Sequence, residues 1–217
     1  MKGIIFDLDG TLLDTGNDLT RAVNQVLEDY GYPLTDRKNT LKRLGHGFAY
    51  LIAHSLPEDT PEDIRFEALQ KFIYYYDIGY MEETVPYPGI PELLQRLQEE
   101  GYALAINSNK ADHYTKELIR YYFPEISFKA VFGMREGIPG KPDPHTVNEI
   151  LQIMDLKAEE VLYVGDSGTD TQTAKNAGCP FLGVTWGFRS EEQLKEAGTE
   201  SFAREAADIH KRVREDA

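Results

Sequence analysis

Two aspartates separated by one residue follow a short apolar run near the start of the chain. Asp7 and Asp9 come directly after the apolar residues 3–6, and Gly10 follows them. The run is rich in β-branched residues and does not alternate, which is typical of a parallel strand covered on both faces. Side chains two positions apart on a strand lie on one face. The two carboxylates can therefore meet at the carboxyl end of this strand, where open α/β sheets bind ligands.

Neighbouring carboxylates repel one another and raise each other's pKa unless a cation or a shared proton relieves the repulsion. Mg²⁺ prefers such oxygen ligands and often keeps substrate phosphate oxygens in its remaining positions. The pair therefore predicts Mg²⁺-dependent phosphate chemistry. The alternative is a surface turn in which Asp9 and Gly10 only end the strand.

Other polar residues follow predicted strands or lie in loops beside them: Ser108, Asn109, Lys141, Asp166 and Asp170. Right-handed crossovers place the carboxyl ends of parallel strands at one edge of a sheet. We therefore expect these side chains to converge with Asp7 and Asp9. A surface turn would not require polar residues at the ends of several distant strands.

These segments resemble the four ordered motifs of the haloacid dehalogenase (HAD) superfamily, and within it the phosphoglycolate phosphatase-like branch. In chain order the motifs are Asp7-Leu8-Asp9-Gly10-Thr11, Ser108, Lys141-Pro142 and Gly165-Asp166-Ser167-Gly168-Thr169-Asp170. The match runs from Ile4 to about Gly183. The resemblance implies an α/β Rossmann-like core with a small helical cap inserted after the first strand.

The two aspartates of the first motif are assigned different roles. Asp7 is predicted to attack phosphorus and form an aspartyl-phosphate. Asp9 is predicted to protonate the leaving alcohol and then to deprotonate the water that cleaves the intermediate. The resemblance implies the same roles and adds that Asp9 lends its backbone carbonyl to Mg²⁺. The predicted metal ligands are Asp7, Asp9 and Asp166.

The remaining motif residues are expected to support the phosphoryl group. Lys141 would stabilise developing charge on its oxygens, and Ser108, with Asn109, would donate hydrogen bonds to them. Asp170 lies at a predicted helix start, where it could bind the metal directly, bind it through water, or cap the helix and orient Lys141. We favour a role for Asp170 outside the set of residues that bind the metal directly. Thr11 is expected to hydrogen-bond within its loop.

The hydrophobic pattern divides the chain into two parts. Residues 1–14 and 87–217 alternate predicted strands and helices, which indicates a doubly wound parallel sheet. The predicted strands include residues 103–106, 130–132, 161–164 and 181–184. No strand pattern occurs in residues 15–86, which are predicted to form an all-helical cap domain. One of its helices is expected to begin with Thr60 as N-cap and Pro61 in the first turn.

The cap is predicted to read the substrate. Arg43 and His46 lie in or beside a glycine-flanked loop, where either could meet a substrate carboxylate. Each is equally compatible with an ordinary surface or packing role. Phosphonate hydrolysis would instead require a cap lysine poised for a Schiff base, for which Lys38 and Lys42 are candidates by location alone.

Composition narrows the functional classes. The chain has 217 residues and a formal net charge of −14, which argues against binding nucleic acid or an anionic membrane surface. Its single cysteine, Cys179, excludes an intramolecular disulfide and favours a reducing compartment, so a cytoplasmic location is expected. The expected partner is a small phosphorylated metabolite, and the expected state is a monomer or homodimer.

Several reactions fit the same residues. The main prediction is Mg²⁺-dependent hydrolysis of a small phosphomonoester, with 2-phosphoglycolate as one candidate. A β-phosphoglucomutase-like phosphosugar mutase, an inorganic pyrophosphatase and a nucleotidase remain alternatives. Dehalogenases of the superfamily lack the second acid of the first motif, whereas Asp9 is present here. The complete set of acids also argues against a non-catalytic binding module.

Overall fold

The computed structural model describes residues 1–45 and 47–215. The chain divides into two compact units, one formed by Met1–Leu13 with Pro86–Ala217 and the other by Asp14–Val85. The predicted boundaries, after residues 14 and 86, each lie one residue further along the chain than the boundaries of these units, after Leu13 and Val85. The first unit contains the six-stranded sheet. The second unit consists mainly of helices, but the short strand at Val85–Pro86 shows that the region predicted to be all-helical is not entirely so.

The bounds of the secondary-structure elements in the described residues are as follows. The strands are β1 (Gly3–Phe6), β2 (Leu13–Asp14), β3 (Val85–Pro86), β4 (Ala103–Ala111), β5 (Ala130–Met134), β6 (Val161–Gly165), β7 (Phe181–Val184) and β8 (Phe202–Ala203). The helices are α1 (Gly16–Asp29), α2 (Arg37–Lys42), α3 (Phe48–Ala53), α4 (Glu62–Asp77), α5 (Ile90–Glu99), α6 (Asp112–Tyr122), α7 (His145–Met154), α8 (Gly168–Ala177), α9 (Glu191–Glu196) and α10 (Ala206–Glu215). A short 3₁₀ helix spans Ala158–Glu160.

The main sheet has the strand order β5-β4-β1-β6-β7-β8, and every pairing in it is parallel. β1 lies in the middle, with Phe6 opposite Ile106 of β4 and Val164 of β6. The chain thus winds outward from β1 in both directions, which confirms the predicted doubly wound α/β fold. This register places the residues that follow Phe6, Ile106 and Val164 at the same edge.

The centre of the sheet is buried on both faces. Every residue of β1 and of β6 is buried, and Ile4, Ile5 and Phe6 have no exposed surface. Burying a side chain of this size contributes about 1.5–3 kcal/mol relative to leaving it exposed. The unbroken apolar runs therefore fix the two strands whose ends carry the first and last acidic motifs.

Two local predictions need correction. The strand predicted at residues 103–106 continues to Ala111, with an irregular register against β5 between Asn107 and Ala111. The helix predicted to start at Thr60 begins at Glu62, and Pro61 holds the N-cap position without a side-chain cap. The carbonyl of Thr60 instead accepts a hydrogen bond from Arg65 (2.9 Å), which holds this segment in the loop before the helix.

Within the helical unit, one arginine forms hydrogen bonds to several carbonyls and three aromatic rings pack together. The Arg65 guanidinium donates to the carbonyls of Ala53 (2.6 Å), Pro57 (3.1 Å) and Glu58 (2.9 Å) as well as to that of Thr60. In the core of the unit the rings of Phe48, Phe72 and Tyr76 pack together, with centroids 4.9–5.6 Å apart. Edge-to-face and stacked pairs of this kind add stability beyond their buried area.

The helices of the described residues are all too short or too polar to cross a lipid bilayer.

Candidate active site

The ends of β1 and β6 bring Asp7 and Asp166 together. The backbone N–H of Asp7 donates to the carbonyl of Val164 (2.9 Å), so the parallel ladder continues one residue beyond β1. Asp166 follows β6 through Gly165. Both side chains are buried, with residue exposures of 6% and 3%. The position of each carboxylate is therefore set by the adjacent strand.

Asp170 makes the contacts of the third role that the sequence left open, in which it caps the helix and orients Lys141. Ser167 and Asp170 form a reciprocal capping box at the start of α8, in which Asp170 Oδ2 accepts from the N–H (3.1 Å) and the hydroxyl (2.5 Å) of Ser167. Asp170 Oδ1 accepts a hydrogen bond from Lys141 Nζ (2.6 Å). The same carboxylate thus caps the helix and orients the lysine.

Lys141 links two carboxylates. Its Nζ lies 2.7 Å from Asp7 Oδ1 and 2.6 Å from Asp170 Oδ1, and its side chain is 5% exposed. The amide of Asn109 holds the lysine's backbone, with Oδ1 accepting from the Lys141 N–H (2.8 Å) and Nδ2 donating to the Lys141 carbonyl (3.1 Å). The Asn109 side chain, predicted to bind phosphate, therefore positions the lysine loop.

The carboxylates of Asp7, Asp166 and Asp170 form one cluster, with an oxygen of each within 4.8 Å of the others. Burial, followed by the charges of Asp170 and Asp166, raises the pKa of Asp7 well above its usual range although Lys141 opposes the shift. Burial and the charge of Asp170 raise the pKa of Asp166 to about 7. Burial disfavours the charged form of Lys141, but Asp170 and Asp7 outweigh it and raise the lysine's pKa.

This donor set fits Mg²⁺. Lys141 balances the charge of only one of the three buried carboxylates, and burial, together with the charges of the neighbouring carboxylates, raises the pKa values of Asp7 and Asp166. A divalent cation with a preference for oxygen ligands would offset the remaining charge. Asp7 and Asp166 are the carboxylates best placed to hold it, because both carboxylate oxygens of Asp170 are already engaged, Oδ1 by Lys141 and Oδ2 by Ser167.

Two glycines allow the backbone to pass close to Asp166. Gly10 has a φ of 88°, and a Cβ at this position would overlap the Asp166 carboxylate. A Cβ at Gly187 would overlap both Asp166 and the carbonyl of Gly10. The next residue, Phe188, donates its N–H to Asp166 Oδ2 (2.6 Å). The loop after β7 thus contacts both Asp166 and the first motif's loop.

Asp9 lies apart from the three-carboxylate cluster found among the described residues. Its two carboxylate oxygens lie 2.9 and 3.2 Å from Nζ of Lys110, a residue that sequence reasoning missed. The Lys110 N–H donates to Oγ of Ser108 (3.2 Å), so the predicted phosphate-binding serine also lies at this end of β4. The available signal was a lysine directly after Ser108 and Asn109, but the expected end of the strand at residue 106 placed it in a loop.

A second unpredicted contact lies beneath the cluster. The hydroxyl of Tyr163, in the centre of β6, accepts from Asn107 Nδ2 (3.2 Å) and lies 3.5 Å from Asp170 Oδ1. Thr11, predicted to hydrogen-bond within its loop, does so through its backbone N–H, which donates to the carbonyl of Leu8 (3.2 Å). Its side chain is fully buried, and its Oγ1 has no hydrogen-bond partner in the described part of the chain. The Thr11 carbonyl accepts from Trp186 Nε1 (3.1 Å).

The predicted specificity residues belong to the helical unit. Nη1 of Arg43 donates to Oγ of Ser55 (3.3 Å) within that unit. His46 lies outside the described residues. Lys38 and Lys42 are both exposed, so neither lies in the desolvated pocket that activates a Schiff-base lysine. The structure therefore gives no support for phosphonate hydrolysis through these two residues.

Comparisons with known proteins agree with this geometry. A family model described as haloacid dehalogenase-like hydrolase matches residues 4–184. The chain is 32% identical over 204 residues to the phosphoglycolate phosphatase of Aliivibrio fischeri, covering 91% of this chain and 89% of the relative. It is 34% identical over 204 residues to that of Vibrio cholerae, covering 91% and 90%. The crystal structure of a protein from Lactobacillus delbrueckii subsp. bulgaricus superposes on this chain with a TM-score of 0.92. The two sequences are 29% identical, and the match covers 98% of both chains.

Proposed function

Because the chain belongs to the haloacid dehalogenase-like hydrolases and is a phosphoric monoester hydrolase, we propose that it is a Mg²⁺-dependent phosphatase that forms an aspartyl-phosphate on Asp7. The observation that carries the proposal is the buried set of Asp7, Asp166 and Asp170 around Lys141. A structural ion pair would need only one carboxylate for one lysine. Three buried carboxylates beside one lysine are costly without a further cation to offset their charge.

In the first step a carboxylate oxygen of Asp7 attacks phosphorus, and the bond from phosphorus to the substrate's ester oxygen breaks. Asp9 gives its proton to that oxygen, so the alcohol leaves neutral. In the second step Asp9 takes a proton from water, whose oxygen attacks phosphorus and breaks the bond to Asp7. The products are inorganic phosphate and the restored carboxylate.

Lys141 has two tasks in this scheme. Its ammonium, 2.7 Å from Asp7, would lie beside the phosphoryl oxygens and stabilise the charge that develops on them. Its contact with Asp170 fixes the direction of the ammonium. A bound Mg²⁺ would reduce the repulsion between the anionic nucleophile and the anionic substrate. Asp7, Asp166 and, by family resemblance, the carbonyl of Asp9 would hold it.

We propose 2-phosphoglycolate as the first substrate to test, because the relatives from Aliivibrio fischeri and Vibrio cholerae are named phosphoglycolate phosphatases. In this proposal the helical unit, Asp14–Val85, acts as a cap that excludes water during phosphoryl transfer. Arg43 and His46 remain candidates for contact with the substrate's carboxylate.

The test measures phosphate release from 2-phosphoglycolate by the intact protein, with Mg²⁺ and with EDTA. Asp7→Asn should abolish turnover, because an amide does not attack phosphorus. Asp9→Asn should lower it by a factor of about 10² to 10⁴. Acid quenching of the wild type during turnover, followed by intact mass measurement, should show one phosphoryl group that Asp7→Asn lacks. Full activity in Asp7→Asn, or in EDTA, would contradict the proposal.

The same assay separates the alternative reactions. A phosphosugar mutase would convert glucose 1-phosphate to the 6-phosphate without releasing phosphate, which ³¹P NMR detects directly. Pyrophosphate and nucleoside monophosphates in the same panel would identify an inorganic pyrophosphatase or a nucleotidase. Preferential turnover of any of these over 2-phosphoglycolate would change the proposed substrate while leaving the role of Asp7 intact.

A further inference from the structure

Lys110 is buried at the end of β4 and faces the carboxylate of Asp9. Its side chain is 1% exposed, whereas that of Asp9 is 20% exposed. The Lys110 Nζ lies 2.9 Å from Asp9 Oδ1 and 3.2 Å from Asp9 Oδ2, so it contacts both oxygens. A single contact would leave the carboxylate free to rotate about its terminal torsion. Contacts to both oxygens restrict that rotation as well as the position of the group.

The backbone around Lys110 is itself held in place. Its N–H donates to Oγ of Ser108 (3.2 Å), and its carbonyl accepts from Oγ1 of Thr115 (3.3 Å). Gly133 of β5 lies so close that a Cβ there would come within 2.5 Å of the Lys110 carbonyl. Together these contacts stabilise the irregular end of β4. These contacts therefore hold the backbone from which the Lys110 side chain extends toward Asp9.

Burying an ammonium is costly, and an ion pair repays the cost only with good geometry. A lysine needed only for solubility or for a surface ion pair would lie in water. Lys141, the other lysine at this edge, already contacts Asp7 and Asp170. The site thus contains two buried lysines that contact different aspartates of the first motif.

We propose that Lys110 is a positioning residue for Asp9, fixing the carboxylate that transfers protons in both steps of the reaction. This inference rests on the function proposed above. Lys110 does not touch the reacting atoms in this scheme and acts only through Asp9. Its loss should therefore slow the steps in which Asp9 moves a proton and spare those in which no proton is needed.

Leaving groups distinguish these steps. An alkoxide such as ethoxide is a poor leaving group and needs a proton as the ester bond breaks, whereas 2,4-dinitrophenolate leaves readily without one. The ratio kcat/KM reports on the reaction up to formation of the phosphoenzyme and release of the alcohol. Ethyl phosphate and 2,4-dinitrophenyl phosphate also lack a carboxylate, so a substrate contact made by the helical unit would not bias the comparison.

The experiment compares kcat/KM for these two substrates in wild type and Lys110→Met. We expect the variant to lose about 10-fold or more on ethyl phosphate and less than about 3-fold on 2,4-dinitrophenyl phosphate. With the second substrate, slower attack by water should also let phosphoenzyme accumulate, seen as a burst of dinitrophenolate. The ratio between the two substrates does not depend on the fraction of folded protein.

Four further variants make the test specific. Lys110→Arg keeps the charge and can donate to both oxygens, so it should restore part of the loss, whereas Lys110→Gln should not; this pair carries the test if Lys110→Met does not fold. Lys116→Met removes a lysine that forms an exposed pair with Asp112 (2.6 Å) and should leave both substrates unaffected. In an Asp9→Asn background, Lys110→Met should have no further effect.

Equal losses on both substrates, or a further loss when Lys110→Met is added to Asp9→Asn, would overturn the positioning role. These outcomes are distinct from failure of the proposed function. In that case the wild type would not release phosphate with Mg²⁺, or Asp9→Asn would itself show no dependence on the leaving group.

Discussion

Replacing Asp166 by asparagine tests the electrostatics of the cluster in the metal-free protein. The substitution removes one of the three buried carboxylates but keeps an oxygen that can accept the hydrogen bond from the Phe188 N–H. The side chain keeps nearly the same shape, so packing against Gly10 and Gly187 should be preserved. The main change is the loss of one negative charge from a site where Arg189 and Lys141 are neighbouring cations.

The magnitude follows from the pKa of Asp166. Burial, with the charge of Asp170, raises it from 3.8 to about 7. A carboxyl with a higher pKa in the folded protein than in the unfolded chain binds more protons when folded. The free energy of unfolding therefore falls as pH rises from about 4 to about 7 and is level above that range. Between pH 5 and pH 8 the loss from this one group is about 3 kcal/mol, at about 1.4 kcal/mol per pKa unit.

The assay is urea unfolding in EDTA at pH 5, 6, 7 and 8, followed by tryptophan fluorescence and circular dichroism. We expect Asp166→Asn to gain about 3 kcal/mol relative to wild type over this range. The gain should be smallest at pH 5 and should grow up to about pH 7, because over this range the wild-type carboxyl is protonated when folded but ionised when unfolded. Adding Mg²⁺ at pH 8 should stabilise the wild type more than the variant, since a ligand that binds the folded state shifts the equilibrium toward it.

The control is Asp59→Asn, which removes the same charge from an exposed position in the helical unit. Its stability relative to wild type should not change between pH 5 and pH 8. Parallel pH profiles for Asp166→Asn and wild type in EDTA would refute the reasoning. They would mean that Asp166 is ionised in the folded protein throughout this range and that the metal-free cluster is not under electrostatic strain.

Three other substitutions or reagents test separate features. Gly187→Ala should raise the Mg²⁺ concentration needed for half-maximal phosphatase activity by about 10- to 100-fold, because a Cβ would displace Asp166; an unchanged Mg²⁺ titration would contradict this. Arg65→Met should lower the free energy of unfolding by about 2 kcal/mol in urea, because the guanidinium bonds to four carbonyls. An unchanged urea midpoint would show that water replaces those bonds at no cost. Burial raises the pKa of the Cys179 thiol to about 12, so a thiol-specific disulfide reagent should label it only in denaturant, and fast labelling of native protein at pH 8 would contradict its burial.

The amino-acid sequence was sufficient to predict the fold and the strand ends that carry the acids. The apolar runs before Asp7 and Asp166 are continuous and β-branched, and such runs form buried parallel strands wherever helices cover both faces. Once the strands are parallel, right-handed crossovers leave only one edge where their carboxyl ends can meet. The convergence of Asp7, Asp166 and Lys141 follows from these local patterns and from chain topology.

Side-chain partners at that edge were decided only by the tertiary structure. The contact between Asp9 and Lys110 joins residues 101 positions apart, and it depends on β4 continuing to Ala111 past an irregular register. The apolar pattern ends at Ile106, because residues 107–111 are held by pairing with β5 and by hydrogen bonds rather than by a hydrophobic face. Local periodicity reports which residues seek the core. It does not report which buried charges meet, because that depends on the positions of strands distant in the chain.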